Sequence, residues 1–326
     1  MAQTSAKPVE SICAYQPPRL VHANGIELCY DIFGDVDAEP MVMIMGLGAQ
    51  MIHWDDEFCR EIAAHGFRVI RFDNRDIGLS SKMAGGKPLT LFELAKLRYL
   101  GTPVAAPYKL SDMAADTVAL LDALGIASAH IVGASMGGMI AQEIAIAHPT
   151  RVRSLTSIMS TTGNPRLPQP GRSVAAQLLQ KQPTTYDEFL ARFKQTWLFL
   201  RVGSFPQDEA RDLDRAERTY ARGLDPDGVG RQLRAILASG SRKERLASVT
   251  APTLVIHGKV DPLVHPAGGR ETAASIPGAR LMMIDGMGHA LPISMWTEVI
   301  DAIARHAHGA TAITRSAAVA IRSVSR

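Results

Sequence analysis

Three residues have the types and the chain order needed to attack a carbonyl carbon: Ser135, Asp261 and His289. Serine is a poor nucleophile at its free pKa, so its hydroxyl needs an imidazole within hydrogen-bonding reach to take the proton. A carboxylate behind that imidazole fixes its tautomer and stabilises the imidazolium as it forms. Ser135 sits in the middle of Gly133-Ala134-Ser135-Met136-Gly137, a pattern too common to mean much by itself. Its surroundings give it weight. The apolar stretch Ala129-His130-Ile131-Val132 precedes it, and Met139, Ile140, Ile144 and Ala147 follow at helical spacing. The expected local structure is a strand, a tight turn with serine at its apex, and a helix. Glycines two residues to either side would let strand and helix pass closely around a strained serine backbone.

The partners lie where a sheet would gather them. Residues 251–258 read as a buried strand, and Asp261 follows in the loop Lys259-Val260-Asp261-Pro262. Residues 280–284 read as the next strand, and Gly286-Met287-Gly288-His289 is the loop after it. In open α/β sheets the functional loops stand at the carboxyl ends of the strands. Rivals for each role are weaker. Asp285 ends its strand as a surface or turn carboxylate, and Asp73 ends an earlier strand where structural turn acids are common. His257 lies within a strand, His265 opens the following helix, and His53 stands near the loop after the strand at 41–45, in reach of a substrate. Ser160-Thr161-Thr162-Gly163, after the strand at 152–159, offers no acid.

A tetrahedral intermediate also needs donors for its oxyanion. The backbone N–H of Met136 opens the helix after Ser135, where unpaired N–H groups and the helix dipole favour negative charge. Gly46-Leu47-Gly48 follows the strand at 41–45 and makes the N–H of Leu47 the second candidate, although an ordinary strand-to-helix turn would read the same way.

With Arg75-Asp76-Ile77-Gly78-Leu79-Ser80, Gly133-Ala134-Ser135-Met136-Gly137 and Gly286-Met287-Gly288-His289-Ala290-Leu291-Pro292, the chain resembles the α/β-hydrolase superfamily across residues 20–308. Within it, the chain is similar to hydrolases of the aclacinomycin methylesterase type. The resemblance implies a mostly parallel eight-stranded sheet with helices on both faces and a helical cap inserted after strand 6. It implies the catalytic order Ser, acid, His. It also implies a carboxylic ester hydrolase working through an acyl-enzyme on small to medium esters, methyl esters among them. Two departures stand out: Asp76 where the commoner form has Gly after Arg, and Met45 where many members carry His before the oxyanion glycine. The serine excludes dehalogenases and epoxide hydrolases of this fold, which use Asp at the elbow. Carbon–carbon bond hydrolases, cofactor-free perhydrolases and idle ligand receptors share the scaffold and remain alternatives.

The elements that must position these residues are legible along the chain. Residues 20–22 and 26–33 flank Asn24-Gly25, a strong hairpin signal. From Pro40 strands and helices alternate, with a helix expected at 91–99 and another at 111–124, capped by Ser111 and ended by Gly125. The expected division is an N-terminal extension over 1–18, a core over 19–163 and 246–308, a helical cap over 164–245 and a disordered tail over 309–326. Phe189, Phe193, Trp197, Phe199 and Leu200 form the cap's most apolar face, divided between packing on the core and lining a pocket. Gly46, Trp197 and Leu291 are the expected substrate contacts.

The chain of 326 residues, 46% apolar and 21% charged, has the composition of a globular enzyme. Cys13, Cys29 and Cys59 make an odd count without framework spacing, which suits reduced thiols in a cytoplasmic protein. No signal-peptide core and no run of membrane-spanning length is present. No metal cluster or phosphate loop appears, and the expected chemistry requires no cofactor. With about 12 Arg and 3 Lys against about 10 acids, the cap carries roughly +5. That charge either steers anionic substrates or, as the interleaved acids at 208–222 favour, belongs to solvated helix faces. It forms no nucleic-acid motif. The expected partner is a small ester, and self-association as a homo-oligomer is left open.

Overall fold

Residues 129–134 and 253–258, largely apolar runs, are buried at every position. That is the condition of strands covered by helices on both faces. The computed structural model describes residues 14–324, apart from 87–88, 172–182, 184, 203–204, 207 and 226. Its strands are β1 (Tyr15–Ala23), β2 (Ile26–Phe33), β3 (Glu39–Ile44), β4 (Phe67–Phe72), β5 (Ala129–Ala134), β6 (Val152–Ile158), β7 (Thr253–Gly258) and β8 (Arg280–Ile284). They form one sheet in the order β1-β2-β4-β3-β5-β6-β7-β8. The β1–β2 and β2–β4 pairings are antiparallel and the rest are parallel. The fold is the expected α/β-hydrolase architecture.

The helices are α1 (Asp56–Ala64), α2 (Leu91–Leu100), α3 (Leu110–Ala123), α4 (Met136–Ala147), α5 (Tyr186–Leu200), α6 (Glu209–Ala221), α7 (Gly228–Ser239), α8 (Ala267–Ser275) and α9 (Trp296–Val324). One face of the sheet packs on Leu120 and Leu121 of α3 and Ile140 and Ile144 of α4. The other packs on Phe58 and Ile62 of α1 and Val299 and Ile303 of α9. Helices α5, α6 and α7 lie between β6 and β7. No helix among the described residues is long and apolar enough to cross a membrane.

Several local expectations need correction. The hairpin turn at Asn24-Gly25 has the two positive φ angles, 50° and 77°, of a tight reversal. However, β1 begins at Tyr15, so residues 15–18 are strand rather than extension. Pro17 and Pro18 coincide with a register shift between Gln16 and Arg19, which an edge strand tolerates where an inner one does not. Residues 1–13, Cys13 included, lie outside the described residues. Helix α3 starts one residue earlier than expected, and Ser111 is not its cap. Instead the Asp112 carboxylate turns back to accept the backbone N–H of Lys109. The tail expected to be disordered continues α9 as far as Val324. The front of that helix is anchored by Val299, Ile300, Ile303 and Ala307, and the alanine-rich sequence beyond has good helix propensity.

Several arginines of the insertion reach carboxylates of the core rather than standing only in solvent. Arg215 pairs with Asp55, Arg218 with Asp56, Arg211 with Glu57 and Arg222 with Asp73, joining α6 to α1 and the loops beside it. Arg231 reaches Asp76 and Arg234 reaches Glu93 from α7. The interleaved acids do pair along the helix, Arg211 with Asp208, Arg215 with Asp212 and Arg218 with Asp214, and the same arginines also cross to carboxylates of the core.

Asp73 is wholly buried, so removing its cation leaves an uncompensated charge. Arg222→Ala is expected to lower the unfolding free energy by roughly 3–5 kcal/mol. Urea denaturation measures it, and a loss under about 1 kcal/mol would mean that this pair does not hold the insertion down.

Candidate active site

Ser135 occupies the junction of β5 and α4 with φ 55° and ψ −118°, a left-handed conformation that few non-glycine residues adopt. Its neighbours explain how the turn is made. A Cβ on Gly133 would stand 2.1 Å from the carbonyl oxygen of Gly137, and one on Gly137 would stand 2.1 Å from that of Ile44. Either would force the elbow apart. The Ser135 N–H donates to the Ile158 carbonyl at 2.9 Å, and the Ser160 hydroxyl donates to the Ser135 carbonyl at 2.8 Å. Serine is therefore fixed from β6 as well as from its own strand and helix.

The expected partners converge on it. His289 Nε2 lies 2.9 Å from Ser135 Oγ, and His289 Nδ1 lies 2.6 Å from Asp261 Oδ2. The carboxylate accepts at Nδ1, so the proton sits there and Nε2 presents its lone pair to the serine hydroxyl. Asp261 Oδ1 accepts the N–H groups of Leu263 and Val264, at 2.9 and 2.8 Å. Asp261 and His289 are both buried. The rivals fall elsewhere. Asp285 is exposed and pairs with Lys259. Asp73 accepts the backbone N–H groups of Met51 and Leu79 as a structural turn acid. His265 sits before α8, where its Nδ1 accepts the N–H of Ala267. His257 supports the acid: its Nε2 lies 2.9 Å from the Val264 carbonyl and 3.5 Å from Asp261 Oδ2, and burial pushes its pKa down.

The second loop lies against the serine. A Cβ on Gly46 would come within 3.0 Å of Ser135 Cβ. Gly48 N–H donates to Gln232 Oε1 at 2.9 Å and Ala49 N–H donates to the Gly46 carbonyl. The N–H groups of Leu47 and Met136 have no acceptor among the described residues. A cavity of about 380 Å³ opens beside Ser135, with Gly46, Leu47, Trp197, His289 and Leu291 in its wall. Most of the remaining wall is apolar, as in pockets for organic ligands. Of the apolar face expected on the insertion, Phe189 and Phe193 pack with Ala216 while also bordering the cavity, as do Trp197, Phe199 and Leu200.

Two supports were not visible in the sequence. Gln232 of α7, fully buried, ties Gly48 to the Arg75 carbonyl, its Nε2 donating at 2.9 Å. Its isolated position among apolar and charged neighbours gave no signal. The backbone of α5 holds the histidine loop, since His289 N–H donates to the Leu200 carbonyl at 2.7 Å. A Cβ on Gly288 would stand 2.3 Å from that same oxygen, which accounts for glycine there. The motif departures also resolve. The Met45 carbonyl accepts from Asn74 Nδ2 at 3.0 Å, a polar support for the loop that replaces the missing histidine. Asp76 adopts φ 73° and receives the Tyr108 hydroxyl, the Met83 N–H and Arg231.

Comparison with known proteins agrees with this fold. A family model described as alpha/beta hydrolase fold matches residues 39–294. Rhodomycin D methylesterase DauP of Streptomyces sp. (strain C5) is 31% identical over 316 residues, spanning 90% of this chain and 99% of that protein. Rhodomycin D methylesterase DnrP of Streptomyces peucetius is likewise 31% identical over 316 residues, with the same coverage of 90% and 99%. The esterase RhEst1 from Rhodococcus sp. ECU1013 superposes with a TM-score of 0.69 at 20% identity, covering 88% of this chain and 98% of that one, a likeness of fold alone. The chain belongs to the α/β-hydrolase family. It is one of that family's serine hydrolases, of esterase type.

A methyl group at Gly46 would press on the nucleophile. Gly46→Ala is expected to slow labelling of Ser135 by a fluorophosphonate by about 100-fold, the scale of a 1 Å misplacement. Mass spectrometry over time measures this, and an unchanged rate would show that the loop has room to retreat.

Proposed function

We propose that the protein hydrolyses carboxylic esters through an acyl-enzyme on Ser135, with methyl esters of small to medium acids among its substrates. The observation that carries the reading is the continuous hydrogen-bonded line from Asp261 through His289 to Ser135, at 2.6 and 2.9 Å, at the wall of an apolar cavity. Ser135 Oγ attacks the ester carbonyl as His289 Nε2 takes its proton. The carbonyl oxygen becomes an oxyanion, which accepts from the N–H groups of Leu47 and Met136. His289 then gives the proton to the departing alkoxide, which leaves as the alcohol. A water molecule, deprotonated by His289, attacks the acyl carbon; the bond to Ser135 Oγ then breaks as His289 returns the proton to that oxygen, and the acid leaves. Asp261 stays ionised throughout and stabilises the imidazolium. The methyl-ester element draws support from the two methylesterase relatives, whose names describe action on rhodomycin D.

Ser135→Ala is expected to lower kcat on a good ester on the order of a million-fold. A p-nitrophenyl ester assay measures it, and near-normal turnover would sink the proposal. The same assay tests the support from α7. Gln232→Leu frees the loop that carries Leu47, and kcat is expected to fall about 10- to 100-fold with KM little changed, less than outright loss of an oxyanion donor. A rise in KM at constant kcat would instead make Gln232 a substrate contact.

A further inference from the structure

His53 follows the Leu47 loop, and its ring forms part of the cavity wall together with Phe193, Trp197 and Thr219. The ring lies edge-on to Phe193 and tilted against Trp197, each centroid 6.0 Å away. Its Nε2 stands 3.2 Å from Thr219 Oγ1. The Thr219 hydroxyl has one proton, and its 2.7 Å contact with the Arg215 carbonyl uses it, because a carbonyl can only accept. The threonine oxygen must then accept from His53, so the imidazole proton sits on Nε2. Burial, with the Arg215 charge nearby, pushes the pKa of His53 down to about 3, which keeps the ring neutral at working pH. Nδ1 is left as a lone-pair acceptor, and it has no hydrogen-bond partner among the described residues.

We propose that His53 is a specificity-determining residue whose Nδ1 accepts a hydrogen bond from a hydroxyl or N–H of the substrate. The cavity thereby selects esters bearing such a donor on the part that lies beside Phe193 and Trp197. An apolar substrate group at that place would strip water from the acceptor and leave it unpaired, whereas a donor restores the bond. The proposal rests on the ester-hydrolase reading for the nature of the ligand, but not on turnover for its test.

The test uses binding to the full chain carrying Ser135→Ala. The probes are methyl esters of phenylalkanoic acids with one to four methylenes, each with and without a meta or para ring hydroxyl. For at least one pair the hydroxylated ester is expected to bind roughly five- to tenfold tighter, the scale of one neutral hydrogen bond. His53→Phe, which keeps an aromatic ring and removes the acceptor, should abolish that preference, read as the affinity ratio within each pair. Thr219→Val, which releases the tautomer but leaves the backbone carbonyl bonded to Gln50 in place, should shrink it. Equal affinities across every pair overturn the proposal, as does a preference that survives His53→Phe. A preference that depends on His53, found together with wild-type protein that turns over none of the esters, upholds the binding role and sinks the hydrolytic reading instead.

Discussion

The left-handed backbone at Ser135 is the constraint on which the rest of the site depends. A serine held at φ 55° projects its hydroxyl out of a sharp bend between strand and helix, and the bend exists only while three strands crowd around it. Gly133 and Gly137 allow backbone to approach backbone at distances no side chain would permit, and β3 supplies one of the touching carbonyls. Strain of this kind persists when its surroundings over-determine it. Here the surroundings are β3, β5 and β6, whose parallel pairing brings the Leu47 loop and Ser135 to the same sheet edge. Ser135 and the Leu47 loop are thus held together by one packing arrangement.

The helical insertion contributes more than a cover. Its α5 carbonyl at Leu200 holds the histidine loop, its α7 glutamine holds the Leu47 loop, and its α6 arginines bind carboxylates beside both. An ion pair between buried or half-buried groups contributes little net stability compared with an apolar contact, but it is costly to break from one side. Such pairs suit registry: they allow one seating of the insertion and disfavour others. Several of this segment's arginines are engaged there with core acids, while Arg192, Arg201 and Arg215 also border the cavity.

The sheet and the reacting residues were legible in the sequence because their signals are local. A largely apolar strand followed by Gly-x-Ser-x-Gly, or an acid and a histidine in loops after strands, can be recognised without knowing what packs against them. The same reading placed the Leu47 loop beside the serine. What stayed hidden depends on contacts between distant segments. Gln232 and Gly48 are far apart in the chain, and nothing about a lone glutamine on a helix announces its partner. Asp76 read as a departure from a family pattern, although its role emerges only when Arg231 and Tyr108 arrive from elsewhere. The start of β1 and the extent of α9 were missed for a related reason. Prolines, and a tail with few large apolar residues and no capping signal, gave no sign of regular structure, but an edge pairing and a well-anchored helix front extend it there.

These observations separate the chemistry from its selectivity in physical terms. Bond-making groups stand on loops at the ends of core strands, where sheet geometry fixes them to within a hydrogen bond. The cavity wall is shared: the insertion brings the rings of Phe189, Phe193 and Trp197, and the core loops bring His53, His289 and Leu291. Yet the two halves are not independent, because the insertion also secures the loops that perform the chemistry. A change in the insertion that widened the cavity would shift Leu200 or Gln232 as well, and with them the histidine and the oxyanion donors. On the proposed reading, substrate range would be coupled to rate through these same contacts.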